Sequence, residues 1–154
     1  MLDAGFEQAE IFHLGYVVPN MDRAIKYWSI SGARLIVPPA LDPIQNVFCA
    51  LLTYKGAAAI ELIAPNLVGP HPLGSRLAKG GGLDHVCFFC DDVASATNTL
   101  RDEGGVVAVE PTYGAVFDRE LSFVVNRAGL LVEVMSRKPS ARVPVDPLAH
   151  WLQS

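Results

Sequence analysis

A chain of 154 residues with 51% hydrophobic and 18% charged side chains can bury a substantial core, which excludes a disordered polyelectrolyte. Its net charge of −4 at pH 7 argues against the basic footprint of a nucleic-acid binder. No apolar stretch approaches the roughly 20 residues of a membrane span, and the acidic start Met1-Leu-Asp-Ala-Gly-Phe-Glu7 lacks the basic region that opens a signal peptide.

By length the chain reads as one domain, residues 1–154, built from two small modules. The first module covers about residues 11–64. Its opening apolar run, His13-Leu-Gly-Tyr-Val-Val18, reads as a strand. Met21, Ala24, Ile25 and Trp28 then fall at i, i+3, i+4 and i+7, the spacing of one helix face. Asn20 suits the N-cap, where its side-chain oxygen can accept a first-turn N–H, and Gly32 suits a C-terminal position of positive φ. Strands are expected at Arg34–Val37, Val47–Thr53 and Ala58–Ala64, which makes the module βαβββ. Residues 65–82 form a linker. It is rich in Pro and Gly, has a helical turn at Leu73–Leu77, and ends in Gly80-Gly-Gly82. That glycine run lacks the strand–glycine–helix setting of a phosphate loop and reads as a flexible joint, with a substrate-facing loop as the alternative.

The second module, about residues 83–136, repeats the order. His85-Val-Cys-Phe-Phe-Cys90 is its first strand. Asp92 is the N-cap, Val93, Ala96, Thr97 and Leu100 make the helix stripe, and Gly104 ends it. Strands follow at Val106–Val109, Leu121–Val125 and Leu130–Met135. The tail, 137–154, is expected to pack on the surface or on a partner subunit, with His150 a solvated or packing histidine. Three cysteines, an odd number, fit reduced thiols in the cytoplasm. Cys87 and Cys90 are three apart on a strand and so point to opposite faces. They read as small core residues, not as a redox or zinc pair.

The two modules are in register at a spacing of 72 residues: His13 with His85 (85 − 13) and Glu61 with Glu133 (133 − 61). Gly32 falls on Gly104, Pro39 on Pro111 and Ala24 on Ala96. Architectural duplication explains the glycines and the apolar period. It does not explain why a His and a Glu recur among apolar neighbours. A carboxylate inside such a strand costs several kcal/mol to bury unless it is paired or coordinated. Two His and two Glu make a mixed nitrogen and oxygen shell for one divalent cation, with roughly two octahedral positions left over. Mn, Co, Ni or Fe suits this shell, and Zn fits if its coordination expands.

The segments His13–Ala24, Ala59–Pro65, Gly81–Val93 and Gly129–Met135 resemble the vicinal oxygen chelate superfamily over about residues 11–136. The likeness is closest to methylmalonyl-CoA epimerase-like proteins, through Glu61-Leu-Ile-Ala-Pro65 and the glycine cluster before the second His. The resemblance implies an α+β fold in which two tandem βαβββ modules form a cupped, barrel-like mixed sheet around a metal. The ligands it implies are His13, Glu61, His85 and Glu133. It further implies a homodimer and a metal-dependent epimerase or isomerase that removes a carbon-bound proton next to a thioester. Glu133 would be a weakly held ligand that lets go to act as the base. A glyoxalase I-type lactoylglutathione lyase and a non-catalytic small-molecule-binding resistance protein are the alternatives. Two departures stand out: Asp84 precedes His85 where epimerases commonly carry a second His, and Cys49 occupies the place of a second catalytic Glu in some bacterial epimerases. Cys49 reads as a small core residue, with an acid–base role as the alternative.

Overall fold

The computed structural model describes residues 10–55 and 58–152, so the acidic start and its bearing on a signal peptide lie outside the described residues. The elements are β1 (Glu10–Val17), α1 (Met21–Ile30), β2 (Arg34–Asp42), β3 (Val47–Thr53), β4 (Ala59–Pro65), α2 (Gly74–Ala78), β5 (Gly82–Cys90), α3 (Val93–Asp102), β6 (Val106–Gly114), β7 (Arg119–Val125), β8 (Leu131–Ser136) and α4 (Ala149–Leu152). Each module is βαβββ, and the class is α+β. The strands form an 8-stranded sheet in the order β2-β3-β4-β1-β5-β8-β7-β6. It is mixed: β1 runs parallel to β4 and β5 parallel to β8, while the β2–β3–β4 and β6–β7–β8 ladders are antiparallel. None of the described helices is long and apolar enough to cross a membrane.

The chain divides into two compact units. One holds His13–Asp84 and the tail from Pro147; the other holds the described residues up to Phe12 together with His85–Asp146. In the His13–Asp84 unit the apolar stripe of α1 lies on the sheet. Ala24 joins Val18, Ala33, Leu52, Leu62 and Ala64 in a buried cluster, with Met21, Ile25 and Trp28 packed against it. Each fully buried leucine here contributes about 1.5–3 kcal/mol through loss of apolar surface from water. In the His85–Asp146 unit the same device uses Val93 and Ala96 of α3 against Cys90, Val132 and Val134. Both expected N-caps are present: Asn20 accepts the Arg23 N–H at 2.9 Å and Asp92 the Ser95 N–H at 2.9 Å.

Several strands run further than expected: β1, β5 and β7 start early, at Glu10, Gly82 and Arg119, and two edge strands end late. The sequence readings of these two end at Val37 and Val109, just before prolines, yet β2 continues to Asp42 and β6 to Gly114. Proline lacks the N–H of a sheet ladder, but an edge strand has one side unpaired and can place it there. β2 and β6 are the outermost strands, and each shifts register twice along its length. The glycine run is likewise a fixed feature and not simply a joint. Gly81 has φ +79°, and a Cβ on it would lie 2.6 Å from the Val17 carbonyl oxygen.

The repeat also reaches beyond the modules. Asn46 and Asp118, 72 apart (118 − 46), both hold a left-handed conformation in the hairpin that joins their strands. The Asn46 amide donates to the carbonyls of Val68 (3.1 Å) and Pro70 (2.7 Å). The Asp118 carboxylate instead accepts the N–H groups of Ala141 (3.0 Å) and Arg142 (3.1 Å). Gly69 and Ala141, again 72 apart, both have positive φ. The start of the tail is thus held down by its own unit. The fully buried Arg119 completes the hold, because its guanidinium grips Asp146 at 2.7 and 3.0 Å and donates to the Phe117 carbonyl at 2.8 Å.

Cys87 and Cys90 are buried thiols, as their spacing suggested, and Cys49 is a third. Burial, foremost, and the nearby carboxylates of Asp92 and Asp91 push the Cys90 thiol up to about 12 from an ordinary 9.0. The fold therefore favours the neutral thiol. The stability this gives is complete below pH 9 and is lost as pH rises towards 12. The Tm advantage of the wild type over Cys90→Ala should accordingly shrink between about pH 8 and pH 10.5. A gap that stays constant across that range would contradict the assignment.

Candidate metal centre

Side chains alternate across a strand, so the face of β1 that carries His13 also carries Gly15 and Val17. In the parallel register of β1 and β4, His13 stands opposite Ala59 and Gly15 opposite Glu61. His13 is therefore one same-face step back from Glu61, close enough for its Nε2 to lie 2.8 Å from the Glu61 carboxylate. The other unit repeats this placement. Cys87 stands opposite Glu133, His85 is one same-face step back, and its Nε2 lies 3.0 Å from the Glu133 carboxylate. The ring of Phe123 meets the His85 imidazole edge to face, with centroids 5.1 Å apart, and steadies its plane.

All four residues are buried, the histidines at 0% and 1% exposure. A buried carboxylate needs compensating charge or hydrogen bonds, and an imidazole at hydrogen-bond distance supplies part of that. His13, Glu61, His85 and Glu133 also form one group able to hold a metal ion: each offers one ligand atom, and these atoms lie within 4.8 Å of one another. Two imidazole nitrogens and two carboxylate oxygens suit a divalent ion of intermediate softness, and its charge would offset both carboxylates.

The remaining sequence candidates fall elsewhere. Cys49 stands opposite Ile63 in the β3–β4 ladder, on the face that carries Glu61. Asp84 is not in the ligand group, and Arg76 approaches it at 4.0 Å. Trp28 meets Tyr16 edge to face at 5.5 Å and packs on the α1 core. The Tyr113 hydroxyl donates to Asp118 at 2.9 Å, and Arg142 lies over its ring at 4.0 Å. His150 is exposed. The buried Arg119, Asp118 and Asp42 are not among the sequence candidates. The one signal was positional, since Asp118 falls 72 residues after Asn46.

Residues 12–123 match the model of the Glyoxalase/Bleomycin resistance protein/Dioxygenase superfamily. The ethylmalonyl-CoA/methylmalonyl-CoA epimerase of Cereibacter sphaeroides is 30% identical over 108 residues, which span 67% of this chain and 78% of that protein. The methylmalonyl-CoA epimerase of Mycobacterium tuberculosis superposes with a TM-score of 0.75 at 25% identity, over 91% of this chain and 95% of that one. A variant of the Streptomyces coelicolor methylmalonyl-CoA epimerase in complex with 2-nitronate-propionyl-CoA gives a TM-score of 0.70 at 26% identity, over 82% and 95% of the two chains.

Proposed function

The chain belongs to the glyoxalase/bleomycin resistance protein/dioxygenase superfamily, and from that premise we propose that it is a metal-dependent epimerase acting on a branched malonyl-type CoA thioester. The observation that carries the reading is the intact group of His13, Glu61, His85 and Glu133, in a chain whose relatives are methylmalonyl-CoA epimerases. A divalent ion held by these residues would supply Lewis acidity to a substrate oxygen as the neighbouring carbon loses its proton.

The chain's own residues do the rest. His13 and His85 would supply the two nitrogen donors, and Phe123 keeps the His85 ring in plane. Glu61 would supply a carboxylate donor to the ion. Glu133 is the base: its carboxylate takes the proton from the carbon beside the thioester and leaves that carbon planar. Return of a solvent-derived proton to the opposite face inverts the centre, and Glu133 gives the proton it took to solvent. Glu133 is 2% exposed, so few waters solvate its carboxylate. The reading also includes a reducing, cytoplasmic setting, supported by the three thiols, and a homodimer, supported by the likeness to the superfamily.

A second reading, a glyoxalase I-type lyase acting on a glutathione hemithioacetal, draws support from the same two-His, two-Glu donor set and the same proton chemistry. One assay separates the two. Metal-loaded protein is incubated in deuterated solvent with methylmalonyl-CoA, ethylmalonyl-CoA, an unbranched acyl-CoA, or methylglyoxal plus glutathione. Deuterium should enter the branched malonyl thioesters beside the carbonyl, with no lactoylglutathione formed. Turnover of the hemithioacetal alone would assign the lyase. Tight binding of planar aromatic compounds by metal-free protein, with no exchange at all, would point to a binding protein instead.

A further inference from the structure

The two units differ systematically on the face that carries their His and Glu. The cross-strand neighbours of Glu61 are Gly15 and Leu51, whereas those of Glu133 are Cys87 and Phe123. Ala59 precedes Glu61 by one same-face step, and Leu131 holds that place before Glu133. Cys49, opposite Ile63, corresponds to Leu121, opposite Met135. At each of these positions the His13–Asp84 unit carries the smaller side chain. Composition alone does not cause this, because the helix-covered face shows the reverse. There Leu62 and Leu52 of the same unit correspond to the smaller Val134 and to the smaller Val124, which stands opposite Val132 of the Val134 cluster. Volume has been moved off the ligand face of one unit and onto its core. The glutamates agree, since the Glu61 side chain is 8% exposed and that of Glu133 3%.

A substrate with one reacting end is asymmetric, so only one of two repeated faces needs to make room for it. We infer that the alkyl branch of the thioester lies over the His13–Glu61 face, and that Gly15, Cys49 and Ala59 set the size of branch accepted. This rests on the thioester reading above. It adds a place for the alkyl branch and the residues that limit its size.

The test uses metal-loaded, full-length protein. Calorimetry gives Kd for methylmalonyl-CoA and ethylmalonyl-CoA, and metal content and Tm report on the fold. Cys49→Leu installs the side chain that the other unit carries and should weaken ethylmalonyl-CoA by about tenfold or more, because a pocket one or two methylenes too small excludes by that factor. If Cys49→Leu does not fold, Cys49→Ala serves: it should shift the ratio of affinities towards the ethyl branch by about fourfold, the worth of one buried methylene. The mirror change, Leu121→Cys, should move the ratio by less than about twofold. Wild-type protein that binds both thioesters, with a ratio moved by Leu121→Cys and not by either Cys49 variant, would overturn the inference alone. Wild-type protein that binds neither thioester would overturn the thioester reading and this inference with it.

Discussion

His85→Ala should hold metal more than about 100-fold more weakly than the wild type, since even loss of a residue behind a ligand typically weakens binding about 10–100-fold. The variant loses one of four donors and the imidazole 3.0 Å from Glu133. Thermal unfolding reads the effect directly. An ion that binds only the folded state at about 100 times its Kd adds about 2.7 kcal/mol, which for a chain of this size is a Tm rise of about 5–10 °C. Mn²⁺ at about 100 times the wild-type Kd should give that rise in the wild type and no more than about 1–2 °C in His85→Ala. His13→Ala should behave in the same way although it lies in the other unit. Residues that hold one ion act together, so the double variant should lose little more than either single one. Independent, additive losses would mean two separate sites.

Glu133→Gln should lower proton–deuteron exchange on the thioester by about 10²–10⁴-fold at saturating metal, the usual share of a positioned base. The amide keeps the size of the side chain and one acceptor oxygen but cannot take the proton. Glu61→Gln is the matched control. It removes the same charge from the equivalent position in the repeat, where His13 lies 2.8 Å away. Its cost should fall on metal affinity, with exchange largely restored once metal is saturating. Equal losses of exchange in both variants at saturating metal would remove any special role for Glu133 as the base.

The features these variants probe were legible in the sequence because they repeat. A single His or Glu in an apolar strand is ambiguous, but His13 and Glu61 recurring 72 residues later as His85 and Glu133 are not. The helices were legible through side-chain periodicity and through the caps Asn20 and Asp92, both local signals. Less visible was whatever depends on backbone position and not on residue type. The edge strands β2 and β6 pass through Pro38, Pro39 and Pro111, which end a strand on local rules and are tolerated only at a sheet margin. Gly69 and Ala141 are equivalent by conformation yet share no residue type. Asn46 and Asp118 perform the same holding role with opposite polarity, one donating and the other accepting. The grip of Arg119 on Asp146 spans 27 positions and leaves no periodic trace. The small residues around Glu61 became informative only when strand register showed which of them share its face.

The most direct test is anomalous diffraction from crystals grown with Mn²⁺, with data collected at the manganese edge. One peak per chain is expected, within about 2.0–2.3 Å of His13 Nε2, His85 Nε2 and one carboxylate oxygen each of Glu61 and Glu133, as for first-row ions on these donors. A peak at only one His–Glu pair, two separate peaks, or two hydrogen-bonded pairs with no ion in saturating metal would contradict this expectation.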